Sequence, residues 1–215
     1  MSSLKILITA GPTIEPIDPV RFISNHSSGK MGYALAEAAA KLGHSVTLVS
    51  GPVHLPCPTS VKRIEVKTAQ EMQKAVLKIS SKMDVIIKAA AVGDYRVEKL
   101  ARHKIKKTQD VLTVRLVKNP DILKKLGEIK KTGHILVGFA AETQNWEKNA
   151  LSKLKKKNCD WLVLNNVAQK GIGFGSDNNA VTLYSQLGEK THFSKSSKKA
   201  IARKILRKIL AIGPL

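Results

Sequence analysis

Apolar runs of strand length alternate with amphipathic segments of helix length through most of the 215 residues, and within the apolar runs there is no in–out alternation. These two observations predict an α/β fold with a mostly parallel central sheet and helices on both faces, because strands covered on both sides have no polar face to show. A third observation, the lack of any internal repeat or low-complexity linker, predicts one domain over 1–215.

The elements follow in order. "KILITA" (Lys5–Ala10) reads as the first buried strand, and a Pro-punctuated connection, Gly11–Gly29, leads to the helical pattern "KMGYALAEAAAKLG". A connection that long without regular structure points to function. "SVTLVS" (Ser45–Ser50) is the second strand; "AQEMQKAVLKIS" is the second helix, with Thr68 and Glu71 spaced as a capping box. "MDVIIKAAA" (Met83–Ala91) is the third strand, followed by an irregular basic segment, Gly93–Val111. "PDILKKLGEI" reads as a helix with Pro120 in its first turn. The strands "HILVGFAA" (His134–Ala141) and "DWLVLNN" (Asp160–Asn166) flank the helix "NWEKNALSKLKKKN". A hairpin turning at Gln186–Glu189 and a basic helix close the chain. Both irregular segments follow the C-terminal ends of strands, the edge at which open parallel sheets bind ligands.

Composition narrows the classes. With 43% hydrophobic residues the chain reads as globular, and it has no apolar run of about 18 residues to span a membrane. "MSSLKILITA" enters an apolar run without a signal-peptide cleavage pattern, so a cytoplasmic location is expected. Cys57 and Cys159 have no metal-ligand spacing and read as reduced structural thiols. The formal charge of +21, from 37 Lys+Arg against 16 Asp+Glu, favours anionic partners: nucleic acid, a membrane surface or phosphorylated metabolites. Much of that excess lies on helix faces opposite Leu and Ile, and aromatic residues are only 4%, which leaves few stacking platforms for nucleic acid.

The loop "NHSSGKMG" offers helix-start N–H groups, Ser hydroxyls, and Gly29 and Gly32 where a ligand can approach the backbone, a chemistry that suits phosphate. It also reads as a plain cap, and it is not a Walker A loop, since Met31 follows Lys30. His26 is an acid–base candidate by residue type or a hydrogen-bonding loop residue. "YRVEK" (Tyr95 to Lys99) has the Tyr-x-x-x-Lys spacing of short-chain dehydrogenases, but stands in a turn where those enzymes need a helix. "KIKK" (Lys104–Lys107) gathers three ammonium groups at the ligand edge. Each would contribute about 4 kcal/mol at about 4 Å from a phosphate oxygen at an effective dielectric near 20, before desolvation. Asp94 is a candidate Mg²⁺ ligand on bound phosphates.

Taken in order, "ILITAGPTIEPIDPVRFISNHSSGKMGYALAEAAAKLGHSVTLVSGP", "AAAVGDYR", "KIKK", "LVKNPDIL", "VGFAAET" and "DNNA" resemble the bacterial phosphopantothenoylcysteine synthetase family, the second half of the bifunctional flavoprotein of coenzyme A synthesis. The resemblance runs from Lys5 to the C-terminal helix. It implies a Rossmann-like three-layer fold, a homodimer, and a ligase that activates 4'-phosphopantothenate with CTP and Mg²⁺, then joins it to L-cysteine, releasing pyrophosphate and CMP. It implies Asn25 as the residue that positions the acyl-cytidylate and Lys104, on a basic flap at about 93–111, as the lysine that helps form it. Implied nucleotide contacts are Lys88, Ala89, Ala90, Asp94, Lys104, Asn119, Pro120, Asp121, Ile122, Phe139, Lys153 and Lys157, and implied substrate or phosphate contacts are Arg21, Asn25, Ser27, Ser28, Gly29 and Lys30. The flavin-dependent half of the family pattern is not in this sequence, so FMN is not expected. Either a separate phosphopantothenoylcysteine decarboxylase chain supplies that step or the sequence is an excised domain. Gly93 stands where Ala is usual, and Lys88 where small residues are common. The eukaryotic relatives use ATP, so ATP use stays open. The rival readings are an NAD(P)-dependent oxidoreductase and a basic nucleic-acid-binding module.

Overall fold

The structure, a computed structural model, describes residues 3–107, 110–142, 144–166 and 175–211. The elements are β1 (Lys5–Ala10), β2 (Ile14–Pro16), β3 (Phe22–Ser24), α1 (Lys30–Lys41), β4 (Ser45–Ser50), β5 (Val61–Glu65), α2 (Ala69–Ser80), β6 (Val85–Lys88), β7 (Tyr95–Val97), β8 (Leu116–Lys118), α3 (Ile122–Ile129), β9 (Ile135–Glu142), α4 (Trp146–Lys156), β10 (Trp161–Asn166), β11 (Asn178–Ser185), β12 (Lys190–Ser197) and α5 (Lys198–Ala211). The main sheet has the order β12-β11-β10-β9-β6-β1-β4-β5. From β5 to β10 all neighbours are parallel, while β11 and β12 add an antiparallel margin.

The continuous apolar runs are explained by two cores. Ile6, Ile8, Leu48 and Ile87 point to one face and pack under α1 and α5, against Leu35, Ile201 and Ile205. Leu7, Val49, Ile86 and Leu162 point to the other and pack under α2, α3 and α4, against Met72, Leu126 and Leu154. Each such side chain, fully buried, contributes about 1.5–3 kcal/mol. A polar residue on either face would lie against a helix without a partner.

β1 and β4 coincide with the expected strands, and α2 runs from Ala69 to Ser80 as its pattern predicts. The Thr68 hydroxyl accepts from the Glu71 N–H at 3.1 Å, and the Glu71 carboxylate accepts from the Lys67 N–H at 2.7 Å. The third strand is shorter than expected, Val85–Lys88, because the chain beyond it turns over the sheet edge. Pro120 lies before the helix, not in its first turn: Asp121 is the N-cap of α3, accepting from the Lys124 N–H at 2.9 Å. β5 was not anticipated; its sequence "VKRIE" is an edge strand with mixed exposure, which lacks the doubly buried signature. The connection 11–29 folds into the β2–β3 hairpin, and part of the segment 93–111 is β7, paired with β8. Tyr95 therefore sits on a strand, and its spacing to Lys99 is not one turn of a helix, which removes the dehydrogenase geometry.

Gly32 corrects another expectation. A Cβ there would lie 2.5 Å from the Ala10 Cβ, so its bare backbone serves the close seating of α1 on β1 and not the approach of a ligand. The N-cap residue is Gly29, at φ 76°, which has no side chain to cap with, while the Ser27 hydroxyl accepts from its N–H.

Candidate active site

β1 leads to β4 on one side of the sheet, whereas β6 and its followers lie on the other, so the strand order reverses between β1 and β6. Beyond their last strand residues these two chains stay joined: the Ala91 N–H donates to the Gly11 carbonyl at 2.9 Å, and the Thr13 N–H donates to the Ala91 carbonyl at 3.2 Å. Switch points of this kind leave a crevice above the C-terminal strand ends.

Asn25 is in that crevice. Its Nδ2 donates to the Ala91 carbonyl at 2.9 Å, which holds the exposed side chain against the end of β6. His26 beside it is exposed. The Ser27 hydroxyl accepts from the Gly29 N–H at 3.3 Å, Ser28 is half-buried, and Gly29 is buried at the start of α1. Lys30 turns to Asp177, at 2.7 Å, and to the Gly175 carbonyl.

On the other side of the switch point is a cleft of about 390 Å³. It gathers Lys88, Asp94, Asn119, Pro120, Asp121, Ile122, Phe139, Lys153 and Lys157 from six different stretches of sequence. Asn119 braces it, with its Nδ2 on the Gly93 carbonyl at 2.9 Å and its N–H on the Asp94 carbonyl at 2.8 Å. Asp121 accepts from the Lys157 ammonium at 2.6 Å. Burial alone would raise the pKa of Asp121, but the Lys157 bond and the Lys124 N–H outweigh it and hold the carboxyl below its usual value. Lys88, the last residue of β6, donates to the Ala90 carbonyl at 3.1 Å. Burial, and then the Lys153 ammonium, push its pKa down to about 8. Phosphates entering this cleft would meet four ammonium groups, those of Lys88, Lys118, Lys153 and Lys157, against two carboxylates, one of them already paired.

Three of the expected nucleotide contacts lie outside the cleft lining. Ala90 is buried, with its N–H on the Thr9 hydroxyl at 3.1 Å, and Ala89 packs against the α1 core. Lys104 is exposed on the segment beyond β7, beside Ile105. Arg21 is coupled to that same segment: it pairs with Asp18 and donates to the Ile105 carbonyl at 2.9 Å, while the Ile105 N–H donates to Asp18 at 3.1 Å. The Arg21 guanidinium holds the Asp18 carboxyl far below the usual carboxylate range.

Asp18, Lys118 and Asn165 were missed from sequence, and Tyr95 was read only as part of a Tyr-x-x-x-Lys pair. Tyr95 and Lys118 line the cleft. The signal for Asp18 was an acid inside "PIDPVR", a stretch too short of core residues to need one for solubility. Asn165, at the end of β10, has its Oδ1 buried with no hydrogen-bond partner among the described residues, an acceptor at the ligand edge that no sequence pattern marked. Among the described residues no three His, Cys, Asp or Glu cluster as a metal cage, and no helix is long and apolar enough to cross a membrane.

Residues 1–212 match the family described as DNA/pantothenate metabolism flavoprotein C-terminal domain. The chain is 53% identical over 206 residues to the coenzyme A biosynthesis bifunctional protein CoaBC of Vibrio vulnificus strain YJ016, covering 95% of this chain and 51% of the relative. It is 53% identical over 193 residues to the Escherichia coli K12 protein of the same name, covering 88% and 48%. The chain thus spans about half the length of the curated relatives it matches. Among solved structures, the crystal structure of the C-terminal domain of a CoaBC protein superposes with a TM-score of 0.84 at 44% identity, covering 99% of this chain and 96% of that one.

Proposed function

Because the chain belongs to the family of DNA/pantothenate metabolism flavoprotein C-terminal domains, we propose that it is a ligase of coenzyme A biosynthesis that joins 4'-phosphopantothenate to L-cysteine with CTP. The observation that supports this most is the cleft at the switch point, which is lined by every expected nucleotide contact except Ala89, Ala90 and Lys104.

The chemistry follows from the residues. A carboxylate is a poor electrophile, so its oxygen first attacks the α-phosphorus of CTP; the new P–O bond forms as the bond to the bridging oxygen breaks, and pyrophosphate leaves. Lys88, Lys153 and Lys157 neutralise the triphosphate in the cleft. Lys104 approaches from the segment that Asp18 and Arg21 anchor at Ile105, and adds positive charge as pyrophosphate departs. The amine of cysteine then attacks the acyl carbon, the C–O bond to CMP breaks, and the amine proton passes to solvent. Asn25, tethered through Nδ2, keeps its Oδ1 for the intermediate and does not titrate. The gain is positional: holding acyl-cytidylate and amine together removes the entropy of a bimolecular step. Mg²⁺ would draw charge from the phosphate oxygens, and Asp94, an exposed carboxylate at the cleft apart from the Asp121–Lys157 pair, fits an ion carried in on the nucleotide.

The protein is proposed to be cytoplasmic and homodimeric, with its phosphopantothenoylcysteine passed to a decarboxylase, on a separate chain or on a further domain of the same one. The dimer is supported by Val20, Phe22, Leu100, Leu112 and Leu116, exposed apolar side chains on and beside the two small ribbons. Incubation with Mg²⁺, 4'-phosphopantothenate, cysteine and either CTP or ATP tests the reaction. Pyrophosphate with CMP is expected; no pyrophosphate with either nucleotide would refute it, and AMP production would correct the nucleotide.

A further inference from the structure

Crossovers in a doubly wound sheet normally place a helix on the face they cross. Between β4 and β5 the crossover is instead the helix-free segment 51–60, and the flank of α1 beside it is left open. There α1, residues 55–60 and the start of α5 enclose a cavity of about 1020 Å³, more than twice the volume of the cleft at the switch point and sharing no lining residue with it. That is at the upper end of small-molecule sites, about 300–1,000 Å³.

The cavity is apolar along Ala34, Leu55 and Pro58, and basic at one end. α1 and α5 both begin at that end: the Asp177 carboxylate takes the Lys30 ammonium at 2.7 Å, and the Asp177 carbonyl accepts the Lys198 N–H at 2.8 Å. Neither helix has an acidic residue in its first turn, where one would be stabilising. Each instead begins with lysine, and although Asp177 pairs with Lys30 and Glu37 pairs with Lys199 at 3.2 Å and with Lys41, the lining sets four lysines against two carboxylates beside the positive ends of two helices. Lys198 is only 6% exposed. Burial first, and the nearby Lys30 ammonium second, lower its pKa, with the Asp177 carboxylate opposing them.

We propose that this cavity is a second anion site that takes an organic phosphate, with the phosphate on Lys198 and Lys199 where the two helices begin and an apolar stem along Ala34, Leu55 and Pro58. A phosphate there competes with Asp177 for Lys30, the residue that closes the 25–30 loop, so occupancy reaches the candidate active site through one side chain.

Cys57 makes the site testable. It lines the cavity and is exposed, whereas Cys159 is buried, and burial pushes its thiol up to about 12. Alkylation by iodoacetamide, a neutral reagent, therefore reports on Cys57 alone. Its rate is measured with 4'-phosphopantothenate, the phosphopantothenoylcysteine product, CTP or inorganic phosphate, in the wild type, in Lys199→Ala and in Lys204→Ala as a charge control away from the cavity. At ligand five times its Kd, slowing of about sixfold is expected with at least one of the two stem-bearing phosphates. It should be weaker with inorganic phosphate, kept in Lys204→Ala and lost in Lys199→Ala. No slowing by any ligand, equal slowing by inorganic phosphate, slowing by CTP alone, or slowing that persists in Lys199→Ala overturns the proposal. The readout does not pass through turnover: an inactive protein can still protect Cys57, and an active ligase can leave it unprotected. Only the choice of probes rests on the proposed reaction.

Discussion

Replacing Lys88 by Met removes the ammonium from the end of β6 while keeping a flexible side chain of similar volume in its place. In the free protein the group titrates at about 8, against an ordinary 10.5, because burial and then the Lys153 ammonium disfavour its charge. A bound triphosphate reverses the balance and keeps the lysine protonated. The sign follows: below about pH 8 the charge is already present, and above it nucleotide binding must take up a proton. Apparent affinity therefore falls as pH rises through 8, by about tenfold between pH 7 and pH 9, or about 1.4 kcal/mol. Isothermal titration of CTP in buffers of different ionisation enthalpy measures both the affinity and the proton uptake. Lys88→Met should bind more weakly at pH 7 and lose that part of the slope, leaving only the ionisation of the nucleotide itself. The same depressed pKa corresponds to about 3 kcal/mol of strain on the folded, ligand-free protein at neutral pH. Stability of the wild type should thus rise with pH between about 8 and 10.5, and the Met variant should melt higher at pH 7. Equal slopes in wild type and Lys88→Met, or proton uptake in neither, would refute the placement of a desolvated ammonium in the proposed nucleotide cleft.

Four further outcomes follow from the same geometry. Lys104→Gln should lower pyrophosphate release by about 10²-fold or more, as for loss of one charge-stabilising donor, whereas Asn25→Asp should still release pyrophosphate yet fail to deliver the acyl group to cysteine; single-turnover assays of pyrophosphate and CMP separate the two. Asp18→Asn weakens the anchor that holds Ile105 and Arg21, so trypsin should cut at Lys104–Lys107 several-fold faster; since the Asp18 pKa is strongly depressed, the ratio of variant to wild-type cleavage rates should not change as pH falls from 7 to 5, trypsin's own pH dependence cancelling in the ratio. Gly32→Ala places a Cβ 2.5 Å from the Ala10 Cβ and should cost about 1–3 kcal/mol, read as a drop of about 2–4 °C in Tm per kcal/mol. Asp121→Ala loses both the α3 cap and the Lys157 pair, and should destabilise by about 1–2 kcal/mol while weakening CTP binding.

The sheet was legible because burial on both faces leaves an unmistakable record in the sequence: "KILITA" and "SVTLVS" contain few residues that could face water, and both became strands over the expected bounds. Helix α2 was legible because its cap is local, with Thr68 and Glu71 three residues apart. β5 and the ribbons β2–β3 and β7–β8 were not, because edge and surface strands are only half-buried and are specified by distant partners, which short-range patterns do not encode. The misreading of Gly32 has the same origin, since a glycine looks alike in sequence whether its missing Cβ makes room for a ligand or for Ala10.

For the site the division is sharper. The chemical inventory, from the neutral amide of Asn25 to the run of lysines, could be read off the chain, because residue type and motif order are local properties. Folding sets which of them stand together: it brings Lys88, Asp121, Phe139 and Lys157 into one cleft, turns Lys30 away to Asp177, and hangs the Lys104 segment from Asp18 and Arg21. It also buried Lys88 and Lys198, and burial is what shifts their charge. Desolvation and Coulomb interaction depend on distances of a few ångströms between residues tens of positions apart, and such distances exist only once the chain has folded.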